Sequence, residues 1–275
     1  MGLRITNPSS LTVQRQLQFS TRRLDGNFRR LASGLRISSA ADDAAGLAMS
    51  ERLRAEVRSL DQARRNAGDG VSLVQTAEGA LGEVGSILTR LREIAVQANN
   101  GTMSTSDREA LDGEFQGLVS EIDRISRSTD YNGIRLLDGS ASSVQLQIGS
   151  RPTADDTLTV PLSPSLSTSL SLSGLDVGAG GAPTLAITAI DQAVQRVSDL
   201  RASLGAAGNR LGSAIDGLWS RSEALTAAES RIRDVDFAQE ASDKTRNSIL
   251  QQGNIALLAQ ANMQPRLLLR LLGDD

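Results

Sequence analysis

Histidine and cysteine carry most acid–base, nucleophilic and metal chemistry in proteins, and this 275-residue chain has neither. Ser-His-Asp triads, HExxH zinc sites, Cys/His metal clusters and disulfides are therefore excluded by composition. The ionisable groups that remain are 32 Asp and Glu against 29 basic residues, and only Lys244 among the latter is lysine. No P-loop lysine or phosphate clamp accompanies the arginines, so their excess reads as codon bias from a G+C-rich genome. The net charge of −3 is too mild to name a partner. The chain is expected to be no enzyme and to need no cofactor and no metal.

One local charge bias stands out. Before Ile37 the sequence carries Arg4, Arg15, Arg22, Arg23, Arg29, Arg30 and Arg36 against the single acid Asp25, among many Ser and Thr. Taken alone, that pattern fits an organellar presequence, a basic helix lying on a membrane surface, or the solvated face of a packed helix. The sequence has no apolar run long enough to span a membrane and no secretory signal with an apolar centre, so membrane insertion is not expected. Aromatic stacking motifs are missing, and no nucleic-acid partner is expected.

The elements that would have to position any function are legible in the apolar spacing. Leu53, Leu60, Ala67, Val74, Leu81, Leu88 and Ala95 recur every seven residues, and so do Ile190, Val197, Leu204, Leu211, Leu218 and Leu225. A seven-residue apolar repeat needs a partner helix along its length to bury the seam. Aromatics make up only 2% of the chain, so Leu, Ala, Val and Ile must do the packing, as in helix bundles. The fold class that follows is mainly α: a long antiparallel helical bundle or coiled coil with a small β-hairpin.

Local signals divide the chain. Asn7-Pro8-Ser9 predicts a helix start, with Leu17, Leu24, Phe28 and Leu31 on its seam as far as Gly34. Ser38-Ser39 ahead of Asp42-Asp43 predicts a capped second helix from about residue 41 to 99. Ser106 with Glu109 fits a capping box for a helix over 105–128. Tyr131-Asn132-Gly133 and Asp138-Gly139 are turn signals, and alternation at Val144, Leu146 and Ile148, with Leu158 and Val160 beyond, predicts a hairpin at about 143–161.

Residues 161–183, rich in Ser, Gly and Pro, read as a short surface loop whose hydroxyls offer glycan sites. Heptads resume to Leu225, where Gly208, Gly212 and Gly217 would permit close helix approach. A last helix carries Ile249, Ala256 and Met263 and ends near Leu267, Leu268 and Leu271, a leucine cluster that needs a cover.

The residues themselves resemble a known family. LASGLRISSAADDAAGLAMSERLRAEVRSLDQARRNAGDGVSLVQTAEGAL (31–81), LREIAVQANNGTMSTSDREALDGEF (91–115) and STDYNGIRLLDG (128–139) are similar to the N-terminal segment of bacterial flagellin. AIDQAVQRVSDLRASLGAAGNRL (189–211) and AAESRIRDVDFAQEASDKTRNSILQQGNIALLAQANMQP (227–265) resemble its C-terminal segment. The family departs from this chain at Gly217, Trp219 and Gly253, where it usually has small polar residues or alanine.

The resemblance implies a filament subunit whose paired terminal helices, 1–34 and 236–275, form an inner coiled-coil layer. Residues 41–229 would form an outer helical domain with its β-hairpin, the 161–183 loop standing in for outer variable domains. It also implies export through the flagellar type III apparatus to an extracellular filament, and self-association as a helical homopolymer. An export chaperone, a filament cap and hook-junction proteins are the implied helpers. An innate immune receptor surface in animals would map to Arg90, Ile94 and Glu114.

Under that reading Leu53, Leu60, Val74, Leu81, Leu88, Ile190, Val197, Leu204, Leu211, Leu218 and Leu225 are the seam within one subunit. Leu17, Leu24, Phe28, Leu31, Ile249, Ala256, Met263, Leu267, Leu268 and Leu271 are the assembly seam, expected to stay loose until neighbours arrive. A hook–filament junction protein, similar at both ends, is the alternative.

Overall fold

A computed structural model describes the backbone of residues 8–272 and the side chains of residues 8–263. Its helices are α1 (Pro8–Ser33), α2 (Ala44–Ala98), α3 (Thr105–Ser128), α4 (Pro183–Arg233) and α5 (Phe237–Leu272). Between α3 and α4 come two small antiparallel pairs, β1 (Asp130–Tyr131) with β2 (Ile134–Arg135), and β3 (Ser143–Gln147) with β4 (Thr157–Pro161). The leucine cluster at Leu267, Leu268 and Leu271 lies outside the residues whose side chains are described.

Caps set the helix ends. Gly34 takes φ +70 and donates its N–H to the Arg30 carbonyl at 2.8 Å, which closes α1 with the left-handed residue that glycine adopts without a Cβ clash. The cap of α2 is Asp43 and not the serines before it: its carboxylate accepts the Gly46 N–H at 2.9 Å. Ser38 and Ser39 instead donate to Asp42. The capping box of α3 is Ser104 with Asp107, two residues earlier than Ser106–Glu109. Both shifts have one cause. Several hydroxyls and carboxylates stand at each start, and sequence spacing alone does not say which of them caps the helix.

Contacts gather the chain into two units. One holds Glu56–Glu223; the other holds the described residues up to Ala55 and from Ala224 onward. This division differs from the 34/41 and 229/236 boundaries read from the resemblance. Residues 35–55 join the terminal unit because Arg36 Nη2 donates to the Ile232 carbonyl at 2.6 Å, Arg233 pairs with Glu51 at 2.7 Å and Arg54 with Glu229 at 3.2 Å.

In the Glu56–Glu223 unit, α2 and α4 run antiparallel, tied by Arg92–Asp191 at 2.7 Å and Arg221–Glu56 at 2.5 Å. The core joins Leu81, Leu88, Leu91 and Ile94 of α2, Phe115 and Ile122 of α3, and Ile190, Val197, Leu204 and Leu211 of α4. Each large apolar side chain taken fully out of water stabilises the fold by about 1.5–3 kcal/mol.

The β3–β4 pair aligns Val144 with Val160 and Leu146 with Leu158, burying Leu158 and Val160 against the helices. Gly70 makes room for it: a Cβ there would collide with the Leu146 side chain and come within 3.2 Å of Leu211. The glycines of α4 do not serve that purpose. Gly212 and Gly217 have nothing within 4 Å of an added Cβ, and Gly208 would meet only Val74 at 3.6 Å.

The segment 161–183 is not a free surface loop. Leu162, Ser165, Ser167, Leu170, Leu172 and Val177 are all buried. Its backbone is held by α3: Asp123 accepts the Ser167 N–H at 2.7 Å, Asp112 accepts the Val177 N–H at 3.1 Å, and Ser126 Oγ donates to the Ser165 carbonyl at 3.0 Å. Low-complexity composition hid five leucines, Leu162, Leu166, Leu170, Leu172 and Leu175, spaced two to four residues apart, enough to cover the helices once polar groups on α3 satisfied the chain.

Candidate assembly surface

The heptad registers reach two different outcomes. In the Glu56–Glu223 unit, Leu60, Val74, Leu81, Leu88, Ile190, Val197, Leu204, Leu211 and Leu218 are buried, and the repeat closes on itself. Leu53 and Leu225, in the terminal unit, are half-buried.

The α1–α5 pair of the terminal unit is built the other way round. Its antiparallel seam buries Ser20 and Asn27 of α1 against Glu240, Asn254 and Ala261 of α5, with Asn247 half-buried between them. Asn27 donates to Glu240 and accepts from Asn247 Nδ2 at 2.8 Å. Gln251 donates to Thr21 at 3.1 Å, Asn254 Nδ2 reaches Ser20 Oγ at 3.4 Å, and Arg30 approaches Glu240 at 3.7 Å. Every buried polar group on this list has a partner, as low-dielectric surroundings require.

The expected terminal register divides accordingly. Leu17, Leu24 and Leu31 are half-buried between the polar rungs of α1. On α5 the register of Ile249, Ala256 and Met263 faces away: Ile249 is 63% exposed and Met263 53%, and Ala256 is exposed. Phe28 is 49% exposed, with Lys244 Nζ 4.7 Å from its ring centroid. The seven-residue spacing that reaches α1 is Glu240, Asn247, Asn254, Ala261, a register that a search for apolar heptads passes over.

The terminal unit leaves several large apolar side chains in water. Leu11, Phe19, Phe237, Ile255 and Leu257 are each more than half exposed. A lone exposed leucine is ordinary; several large apolar side chains exposed on two paired helices are the kind of feature that marks interaction surfaces. Sequence reasoning missed Phe19, Phe237, Ile255 and Leu257 because they lie off the register it followed.

The segment joining α1 to α2 is fixed by polar contacts. Val235 donates its N–H to the Gly34 carbonyl at 3.0 Å, and Ile37 is buried. Hydrogen bonds from the Ser39 hydroxyl and backbone, then from Ser38, hold the Asp42 carboxyl below its usual range. In the other unit Arg90 and Glu114 form an exposed pair at 2.7 Å, which raises the proton affinity of the guanidinium, with Glu93 adding to it. Ile94 does not join them at the surface. It is 0% exposed, because it points into the α2–α3–α4 core, and a receptor could not touch it in the folded unit.

None of these features forms a catalytic constellation. Among the described residues, no helix is long and apolar enough to cross a membrane.

Comparison with known proteins identifies the architecture. Residues 5–142 match the bacterial flagellin N-terminal helical region and residues 187–272 the bacterial flagellin C-terminal helical region. A flagellin of Halalkalibacterium halodurans is 46% identical over 97% of this chain and 98% of its own length. The flagellar filament 30.7 kDa core protein of Treponema maltophilum is 40% identical over the same shares. The crystal structure of Bacillus cereus flagellin matches at 33% identity with a TM-score of 0.51, covering 56% of this chain and 88% of that one. With helical regions of the family at both ends, full-length relatives, and a paired terminal unit that leaves its apolar side chains in water, the chain belongs to the bacterial flagellin family: it is a structural, self-assembling subunit of the flagellar filament and not an enzyme.

Proposed function

We propose that the α1–α5 pair supplies the inner layer of the filament, and that the apolar side chains it exposes on more than one side of α5 are covered by neighbouring copies. The carrying observation is the inversion within that pair, with Asn27, Glu240 and Asn254 buried while Ile249, Ile255 and Leu257 are exposed. A polar seam sets register at a cost in stability, and the apolar area it leaves over is free to drive association. Head-to-tail contacts that do not close then propagate as a helix. On this reading residues 1–34 and 236–275 lie inside and 41–229 outside, in an extracellular filament reached through the flagellar export apparatus. An export chaperone, a cap and junction proteins are the companions this requires. An animal receptor, where one is met, would use the exposed Arg90–Glu114 pair without Ile94.

Seeded elongation tests the reading. Purified protein is added to sheared filament fragments and growth is followed by electron microscopy. Ile249→Ser/Ile255→Ser should stop elongation while leaving the melting of the Glu56–Glu223 unit unchanged. Normal growth of that variant would refute the assigned face, and wild-type protein that caps fragments without extending them would favour a junction role.

A further inference from the structure

The terminal unit holds a second feature, distinct from its apolar face. A cleft of about 510 Å³ opens beside α1 and α5. Arg22, Arg23, Arg29 and Arg30 of α1 and Arg246 of α5 line it. The carboxylates in its wall are Asp42 and Asp243, and Phe19 and Leu250 supply apolar edges. Arg30 pairs with Glu240 and Arg246 with Asp243, but Arg22, Arg23 and Arg29 have no carboxylate partner among the described residues. Five guanidinium groups against three carboxylates, Asp42, Asp243 and Glu240, leave the concavity with a net positive charge.

The counter-charge exists on the same chain, in the other unit. Residues 56–223 carry 21 Asp and Glu against 14 Arg, a formal charge of −7. The remaining residues carry 11 acids against 15 bases, a charge of +4. Asp69, Glu83, Glu109 and Glu223 are exposed and have no arginine partner among the described residues. The excess of each sign is thus segregated by unit, which the overall charge of −3 conceals.

We propose that the arginine cleft is an electrostatic docking site for carboxylates on the 56–223 unit of a second copy of this chain. This rests on the filament reading and adds to it a place and a salt dependence. Charge complementarity selects the occupant, and the cleft adjoins the assembly face through Phe19, which belongs to both. Arginine suits the task because its planar fork binds carboxylates in two-point fashion. Opposite charges across a forming interface steer approach and fix orientation, an effect that salt screens.

The test uses full-length protein and filament fragments at a series of salt concentrations. Arg22→Gln/Arg29→Gln should slow elongation by about tenfold at low salt and flatten its decline as salt rises. Far-UV circular dichroism should stay unchanged, since both side chains are exposed, and Arg29→Gln alone should give a partial effect. Arg22→Glu/Arg29→Glu subunits should fail to add to wild-type ends. They should add to ends made with Asp69→Lys, Glu83→Lys, Glu109→Lys or Glu223→Lys.

Unchanged rate and salt dependence in the Gln variant would overturn the proposal. So would failure of every acidic-site variant to restore addition while inorganic sulfate binds the wild-type cleft, since that would make the cleft a small-anion site. If wild-type protein does not extend fragments at all, the filament reading itself fails, and that outcome is seen before any variant is compared.

Discussion

The α2–α4 pair and the α1–α5 pair are both antiparallel helices with seven-residue spacing, yet they invert each other. Between α2 and α4 the repeat is apolar and buried, from Leu60 to Leu88 and from Ile190 to Leu218. Between α1 and α5 the buried positions are Ser20, Asn27, Glu240, Asn254 and Ala261, with Leu17, Leu24 and Leu31 half-buried between them, while Phe19, Ile249, Ile255 and Leu257 face water. The difference separates two jobs within one chain. The first pair completes its hydrophobic burial within the subunit, together with α3, the hairpin and the 161–183 segment. The second holds its register by hydrogen bonds, and on the proposed reading its exposed apolar side chains are covered by other copies. A leucine seam in both places would fold more strongly and assemble less.

The contrast can be broken most severely in the apolar unit. Phe115 of α3 is fully buried in the core, and Phe115→Ala should cost about 3–5 kcal/mol through lost burial and the cavity left behind. Urea unfolding would read this as a lower midpoint at constant slope. A loss under 1 kcal/mol would mean that the core is far looser than its packing implies.

Gly70→Ala should be the next largest effect. The added Cβ meets the methyl ends of Leu146 and Leu211, so those side chains must shift and loosen the hairpin on α2, at about 1–3 kcal/mol for overpacking less about 1 kcal/mol that Ala regains in helix propensity. Hydrogen exchange should rise first across β3 and β4. Unchanged protection there would show that the hairpin does not depend on this close approach.

In the polar pair the sign reverses. Asn27→Leu with Asn247→Leu and Glu240→Leu should stabilise α1 against α5, by about 1–2 kcal/mol, because apolar side chains replace the whole hydrogen-bonded set. Arg30, whose side chain is 38% exposed, stays solvated when its partner is gone. The same change should loosen register and lower the yield of uniform filaments. If amide protection in α5 falls instead, the hydrogen bonds are the stabilising element and the comparison drawn above is wrong.

The smallest effect expected is at Asp42. Hydrogen bonds from Ser39 and Ser38 depress its carboxyl below the ordinary value. A depressed group contributes stability that is present above its unfolded pKa of about 3.9 and is lost as pH falls through the lower folded value. Protection of the residue 34–43 segment should therefore drop as pH falls below about 4 in wild type, and Asp42→Asn should flatten that part of the profile. A steeper loss in the variant would point to another carboxylate.

The sequence by itself determined a good deal. The absence of His and Cys excluded the commonest catalytic and metal sites. The heptads of α2 and α4 named their own burial, since an apolar stripe that long has no other stable use. The hairpin was legible in its alternation, and the family in its motifs.

What the tertiary structure decided concerns residues whose type is compatible with either environment. Asn27, Asn247 and Asn254 are ordinary surface residues until partners satisfy their amides, so a buried polar rung leaves no hydrophobic mark. Ile249 and Met263 carry a seam pattern yet face outward, because spacing gives a face and not the direction in which it points. Leu162 to Val177 became core only when Asp112, Asp123 and Ser126 of α3 came within hydrogen-bonding reach of their backbone. Pattern records which side chains avoid water. Which helix offers the shelter, and which polar groups it can satisfy, depends on the whole chain at once.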